Sequence, residues 1–273
     1  MSIKKYNNLD ILDKEKIIDY YYKNKNCTFS VIAKELSVSI RGISRVLREA
    51  NINTKRKNRY TLNENYFNKI DSEEKAYILG FIYADGFVGD NKFNNIAISS
   101  IDEDIIRKIK NAIEFTGDIR KGNKGNFENS KISSVLNFSS KVMASDLRKI
   151  GLYPNKSMTI SSVPDIKSNL ERHFIRGYFD GDGSIILSHN TTYHIVSGIK
   201  KKYTYPTYGF DILGTESMLN EVKNIMNLKY HKLLNTKTNE IKRLVCRAKS
   251  EARYIFEYLY KDSTIFMDRK YEK

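Results

Sequence analysis

The sequence is poor in the groupings that build zinc sites, disulfide frameworks and membrane spans. Its two cysteines, Cys27 and Cys246, stand far apart and outside any CxxC or Cys/His cluster. That excludes a zinc ribbon or a disulfide-stapled scaffold and suits a reducing interior. The four histidines, His173, His189, His194 and His231, show no HExxH or other ligand spacing and read as surface or groove residues. No run of 18 apolar residues occurs, and the opening MSIKKYNNLDILDKEK has no apolar stretch of signal-peptide length. A soluble, intracellular protein is therefore expected, in cytoplasm or nucleoid, in an organelle or in a phage-infected cell, with no membrane partner. GxGxxG, P-loop and nucleophile–His–acid patterns are missing as well, which removes the common small-molecule enzymes.

What is abundant is positive charge. Lys and Arg number 47 against 32 Asp and Glu, a net +15 in 273 residues. A surplus of that size points to a polyanion, because each neutralised phosphate releases condensed counterions. The 13 Phe and 19 Tyr within a 40% apolar composition supply a core large enough for folded domains.

Residues 10–23 predict a helix with Ile11, Ile17, Ile18 and Tyr21 on one side. Thr28–Leu36 predicts a second, N-capped by Thr28, and Ser39 to Ala50 a third. Ala33, Leu36, Val38, Ile43, Val46 and Leu47 are the expected buried faces. The short turn between the last two is a helix-turn-helix pattern, in which the third helix would present Arg41, Ser44, Arg45 and Arg48 to a major groove. A plain three-helix bundle with a basic face has the same pattern. Residues 1–52 are assigned to this module and 53–71 to a basic linker. The linker opens with NTKRKNRY, where Lys55, Arg56 and Lys57 could follow a phosphate backbone or serve only as a solvated tether.

From residue 72 the pattern repeats. Helix 72–84, strands near 87–88 and 94–100, helix 102–115, strands 118–121 and 132–138 and helix 141–150 make one series. Helix 169–181, strands 184–187 and 207–213, helix 216–227, strands 231–235 and 241–247 and helix 251–260 make another. Each reads αββαββα, which divides the chain into repeats at 72–165 and 166–273.

The segments YILGFIYADG (77–86) and FIRGYFDGDG (174–183) occupy matching places, 97 residues apart. Each sets two small residues four apart, Gly80 with Ala84 and Gly177 with Gly181, so that two helix backbones can approach closely. Each ends in Asp-Gly, and Gly86 and Gly183 suit a left-handed helix terminus. Asp85 and Asp182 then lie at the negative end of the helix dipole, facing each other if the helices run parallel. Packing does not recommend that arrangement; a bound cation with oxygen ligands would.

These segments resemble the two motifs of the single-chain LAGLIDADG homing endonucleases, and the similarity covers roughly 72–270. The resemblance implies an α+β fold of tandem, pseudo-symmetric αββαββα domains forming a DNA-binding β-saddle, here preceded by a small all-α helix-turn-helix domain. It implies a metal-dependent endonuclease making double-strand breaks, with Mg²⁺ or another divalent cation such as Mn²⁺ held by Asp85 and Asp182 and the main-chain carbonyls of Ala84 and Gly181. The first motif departs from the pattern in having Tyr83 where the second has Asp180, a position that is not the essential ligand. A basic residue is implied near each site: Lys156 in the first half, and Lys261 or Lys270 in the second, with Lys261 preferred. Strand alternation offers Asn94, Ser99, Lys242 and Arg247 as DNA contacts. The expected partner is double-stranded DNA with a long, asymmetric site, bound by a monomer. An RNA-splicing maturase and a non-catalytic transcription regulator are the rival readings.

Overall fold

Side-chain caps set the start of each N-terminal helix. In the computed structural model, which describes residues 3–24, 27–54, 60–124 and 131–273, α1 (Ile11–Lys23) begins with a capping box between Asp10 and Asp13. Thr28 caps α2 (Phe29–Leu36) and Ser39 caps α3 (Ile40–Glu49), each through its hydroxyl. Ser37, at φ 53°, ends α2 in the left-handed region. Ile17, Ile32, Val38, Ile43, Val46 and Leu47 form the core of this unit, Met1–Arg59. Ile11 departs from expectation: at the first helical position it is 76% exposed, and Ile32 supplies apolar burial that the sequence reading did not single out.

The second unit, Tyr60–Lys273, contains both repeats. The order is α4 (Glu73–Asp85), β1 (Gly86–Val88), β2 (Asn95–Ser100), α5 (Glu103–Ala112), β3 (Arg120–Lys124), β4 (Ile132–Ser139) and α6 (Lys141–Lys149). It then repeats as α7 (Ser168–Asp182), β5 (Gly183–Val196), β6 (Ile199–Thr215), α8 (Glu216–Ile225), β7 (Lys232–Asn235), β8 (Ile241–Cys246) and α9 (Lys249–Tyr260), with a short α10 (Asp268–Tyr271) beyond. The two antiparallel sheets share one topology, β1-β2-β4-β3 and β5-β6-β8-β7. Alternation explains their sidedness. Ile96, Ile98, Leu136 and Phe138 face the helices in the first sheet, as do Ile185, Phe210, Ile212 and Leu244 in the second. The opposite face of each sheet carries the alternate residues.

Two expectations are corrected. The linker assigned to 53–71 has structure from Tyr60 onward: Tyr66 and Phe67 are buried in the main core, and Thr61 pairs with Thr116. Aromatic anchors in a stretch without periodicity account for the miss. The strands placed at 184–187 and 207–213 extend into one long hairpin, paired from Gly183↔Ile212 to Val196↔Ile199. Its two-residue turn, Ser197-Gly198, has φ 54° and 80°, the double positive φ that matches strand twist. Among the described residues no helix is long and apolar enough to cross a membrane.

Candidate active site

Both motif helices are buried through their middle turns, residues 76–83 of α4 being apolar and 174–180 of α7 apolar but for Arg176 and Asp180. They run parallel at a distance that only small residues permit. A Cβ on Gly80 would lie 2.0 Å from the Phe174 carbonyl oxygen, and one on Gly177 would lie 1.9 Å from that of Tyr77. One turn further, a Cβ on Gly181 would meet that of Ala84 at 2.2 Å. Gly80/Ala84 and Gly177/Gly181 thus bring the two backbones together, and the chain emerges from them at Asp85 and Asp182.

Gly86 and Gly183 do not take the left-handed conformation expected of them. Their φ values are −91° and −100°, extended backbone that lets each helix pass straight into its first strand. Glycine is needed for space instead. A Cβ on Gly86 would meet the Ile82 carbonyl oxygen at 2.6 Å, and one on Gly183 would meet the Phe179 ring at 2.2 Å.

Asp85 is exposed and Asp182 half-buried. Protein packed behind Asp182 displaces water and, with the charge of Asp85 beside it, pushes its carboxyl up to about 6; Lys156 and Lys270 pull in the other direction. Desolvation raises Asp85 too, against the same two lysines. Among the described residues neither carboxylate accepts a hydrogen bond. Asp180, two residues earlier, shows the contrast. It accepts from the Tyr77 hydroxyl at 2.7 Å, the Tyr260 hydroxyl at 2.6 Å and the Met267 amide at 2.8 Å. One carboxylate of the second motif is consumed by the fold, while the last of each motif is left available.

Behind each available carboxylate stands a buried lysine. Lys156 donates to the carbonyls of Tyr83 and Ala84, both at 2.6 Å. Lys270 donates to those of Phe179, Asp180 and Gly183 at 2.6–2.7 Å. These are the last carbonyls of α4 and α7 with the first of β5, so each ammonium caps the negative end of a motif helix. Burial lowers Lys156, opposed by Asp182 and Asp85. Burial also lowers Lys270, to about 8. The lysines therefore supply part of the positive charge that the helix ends and paired aspartates require.

Lys261, preferred in the second half, is not at this site. It is exposed at the end of α9, and its carbonyl accepts from Arg172. Lys270 takes the place instead. Lys156 stands three residues after the Leu152-Tyr153 pair, whereas Lys270 stands ten residues after Tyr260, so nearness to the Leu-Tyr pair favours Lys261 in the sequence. The Ala84 carbonyl, expected as a metal ligand, carries the Lys156 hydrogen bond.

The donor set fits a hard, hydrated cation. Two unbonded carboxylates converge, and no group of three or more His, Cys, Asp or Glu side chains among the described residues could hold a metal. Carboxylate oxygens, the donors that Asp85 and Asp182 carry, are the ligand type that Mg²⁺ takes beside phosphate and water.

Register places two of the expected DNA contacts off the open faces of the sheets. Ser99 lies on the open face of β2, opposite Val135. Asn94 precedes that strand at φ 48°, its amide committed to Arg148 and the Asn91 carbonyl. Lys242 shares its face with buried Leu244 and Cys246 and bonds Asn235, so Arg243 is the open-face residue of β8. Arg247, beyond β8, joins Arg243 around Asp211. In the N-terminal unit Arg41, Ser44, Arg45 and Arg48 are exposed on α3. Arg45 is tied to Glu49 at 2.9 Å and lies over the Tyr6 ring. Lys55, Arg56 and Lys57 lie outside the described residues.

No protein-family model matches the chain. An uncharacterized protein of Methanocaldococcus jannaschii is 28% identical over 163 residues, 55% of this chain; the match spans only 57% of that relative's length. Among solved structures, the I-LtrWI LAGLIDADG homing endonuclease bound to target DNA is similar at a TM-score of 0.50 and 14% identity. The likeness covers 77% of this chain and 88% of that one. The I-SmaMI LAGLIDADG homing endonuclease bound to cleaved DNA gives 0.49 and 13%, over 75% and 87%. The chain has the LAGLIDADG homing endonuclease fold.

Proposed function

We propose that the chain is a site-specific, double-strand DNA endonuclease that hydrolyses phosphodiesters with Mg²⁺ or another divalent cation such as Mn²⁺, acting as a monomer. The observation that carries this is the pair of converging carboxylates without hydrogen-bond partners, Asp85 and Asp182, each at a helix end closed by a buried lysine. A structural carboxylate in this fold looks like Asp180, fully bonded; these two are held ready for something else. I-LtrWI, whose fold the chain shares, is a homing endonuclease seen on its target DNA, and the +15 charge suits the same partner.

A divalent cation, when bound, would lower the pKa of an attacking water and offset charge on the phosphate. Asp85 and Asp182 would hold it and must be ionised to do so. Lys156 and Lys270 hold the helix ends so that the two carboxylates keep their separation, and their charge favours an incoming phosphate. Two-fold pseudo-symmetry gives each DNA strand its own lysine. Residues on the open strand faces, Ser99 and Arg243 among them, and Arg247 just beyond β8 read base edges, and Arg41, Ser44 and Arg48 on α3, with the basic segment 55–57, add further DNA contacts.

The test is incubation of the chain with a randomised duplex library in Mg²⁺ and in EDTA, followed by sequencing of the cut ends. Recovery of a discrete, Mg²⁺-dependent site is expected. Enrichment of a bound sequence with no cut ends in any divalent cation would contradict the proposal and favour a regulator, and preference for a structured RNA would favour a maturase.

A further inference from the structure

Each buried lysine sits on the end of its own motif helix, but the stretch of chain that delivers it is fastened to the other repeat. Lys270 arrives on segment 264–271, and four side chains of the first repeat hold that segment. Glu73, at the start of α4, accepts from the Thr264 amide at 2.8 Å. Lys108, on α5, donates to the Phe266 carbonyl at 2.9 Å and to the Asp268 carboxylate at 2.5 Å. Asp104 accepts from the Asp268 amide at 3.4 Å, and the Arg269 guanidinium donates to both carboxylate oxygens of Asp102 at 2.8–3.1 Å. The second repeat adds Arg176 on the Ile265 carbonyl and Asp180 on the Met267 amide.

Lys156 is held in the reciprocal way. The residues just after it are fastened to α8 of the second repeat. The Thr215 hydroxyl donates to the Ile160 carbonyl at 2.5 Å, the Ser217 hydroxyl donates to the Ser161 carbonyl, and Glu221 accepts from the Val163 amide at 2.9 Å. α5 and α8 are counterparts, and the contacts fall on the same places in both. These are the N-cap residue (Asp102, Thr215), the second helical residue (Asp104, Ser217) and the residue four further on (Lys108, Glu221). Asp102 stands where an aspartate usually caps its helix, yet it makes no cap bond. Its carboxylate is spent across the repeat boundary, in a two-pronged pair that fixes orientation as well as distance. Neither a four-residue helix nor a single 3-10 turn holds its shape alone, so these anchors set where each ammonium lies.

We propose that the two lysines are braced crosswise. Asp102 and Lys108 of the first repeat are positioning residues for Lys270, and Thr215 and Glu221 of the second are positioning residues for Lys156. Cutting of either DNA strand then depends on both repeats, a consequence that rests on the reading of the chain as a nuclease; the bracing itself does not.

The experiment reads both levels on the full chain, with Asp102→Ala, Arg269→Ala, the two combined, Glu221→Leu and Glu221→Gln. The first readout is acetylation of native protein by acetic anhydride, quantified lysine by lysine by mass spectrometry. Lys156 and Lys270, 5% and 4% exposed, should resist in wild type. The second is strand-resolved cleavage of the duplex that wild type selects from the randomised library. Asp102→Ala and Arg269→Ala should each unmask Lys270 several-fold and leave Lys156 protected. Each should slow the strand that Lys270→Met slows, by about tenfold or more, since small misplacements near reacting groups are costly. The combined variant should be no worse than either alone, as for two halves of one contact. Arg269 is exposed, so its substitution tests the pair even where Asp102→Ala does not fold. Glu221→Leu should unmask Lys156 and slow the opposite strand, whereas Glu221→Gln, whose amide oxygen still accepts from Val163, should restore both. Unmasking of both lysines together, unchanged labelling, or equal slowing of both strands overturns the proposal, as do unchanged strand rates beside unmasked lysines. A wild type that cuts no duplex while the labelling follows the crosswise pattern contradicts the nuclease reading and leaves the bracing standing.

Discussion

The two repeats agree at the carboxylates and diverge with distance from them. Asp85 and Asp182, the glycine contacts and a buried lysine on each helix end are duplicated. Directly behind them the halves already differ. Tyr83 gives its hydroxyl to the Ile150 carbonyl, where Asp180 gathers Tyr77, Tyr260 and Met267. Lys156 comes from a single 3-10 turn, Lys156–Met158, and Lys270 from α10 near the end of the chain. Furthest out, a six-residue connection, 89–94, stands against a hairpin paired as far as Val196↔Ile199. On the proposed function, symmetry is retained where the two strands of a duplex would pose one chemical problem twice, and lost where each half would meet a different stretch of sequence.

The comparison can be broken at several points. Lys156→Met and Lys270→Met should each cut the rate for one strand by about 10²–10³, roughly 3–4 kcal/mol of lost transition-state stabilisation. Nicked circles would then accumulate from a plasmid substrate; equal slowing of both strands would mean that the two sites do not act separately. Gly177→Ala forces a methyl group into the Tyr77 carbonyl and should destabilise the second unit by about 2–4 kcal/mol in urea unfolding, with Gly80→Ala similar.

Asp182→Asn sets function against stability. The carboxyl of Asp182 is raised in the folded state, so folding binds its proton more tightly. Its contribution is therefore most favourable at low pH and is lost as pH rises through about 6. Removing the charge should stabilise the protein by about 1–2 kcal/mol at pH 8, a gain that vanishes below about pH 4. Cleavage by wild type should fall as pH drops through about 6, because the protonated acid no longer holds a cation. Tyr83→Phe is the mildest: it frees one carbonyl and should cost about 1 kcal/mol, less than Asp180→Ala at the corresponding position.

Much of this was legible in the sequence because it repeats. Helix order, the motif pair, the paired small residues and both aspartates follow from period and spacing, which survive in a single chain. What was not legible depends on three-dimensional register or on insertions. The one-residue shift that puts Arg243 rather than Lys242 on the open face turns on where β8 pairs with β6. Lys270 replaces Lys261 because the chain wanders between α9 and α10 before returning to the helix end. Polar, weakly alternating residues conceal the length of the β5–β6 hairpin, and Ser197-Gly198 is the turn signal that marks its tip. Gly86 and Gly183 were identified as required for the wrong reason, since steric closeness and positive φ both select glycine.

The most direct test of the central claim is strand-resolved cleavage of the selected duplex in Mg²⁺ by wild type, Asp85→Asn and Asp182→Asn, with binding measured in parallel. The account predicts that each variant binds within a few-fold of wild type and loses double-strand cutting. Full double-strand cleavage by both variants would contradict it.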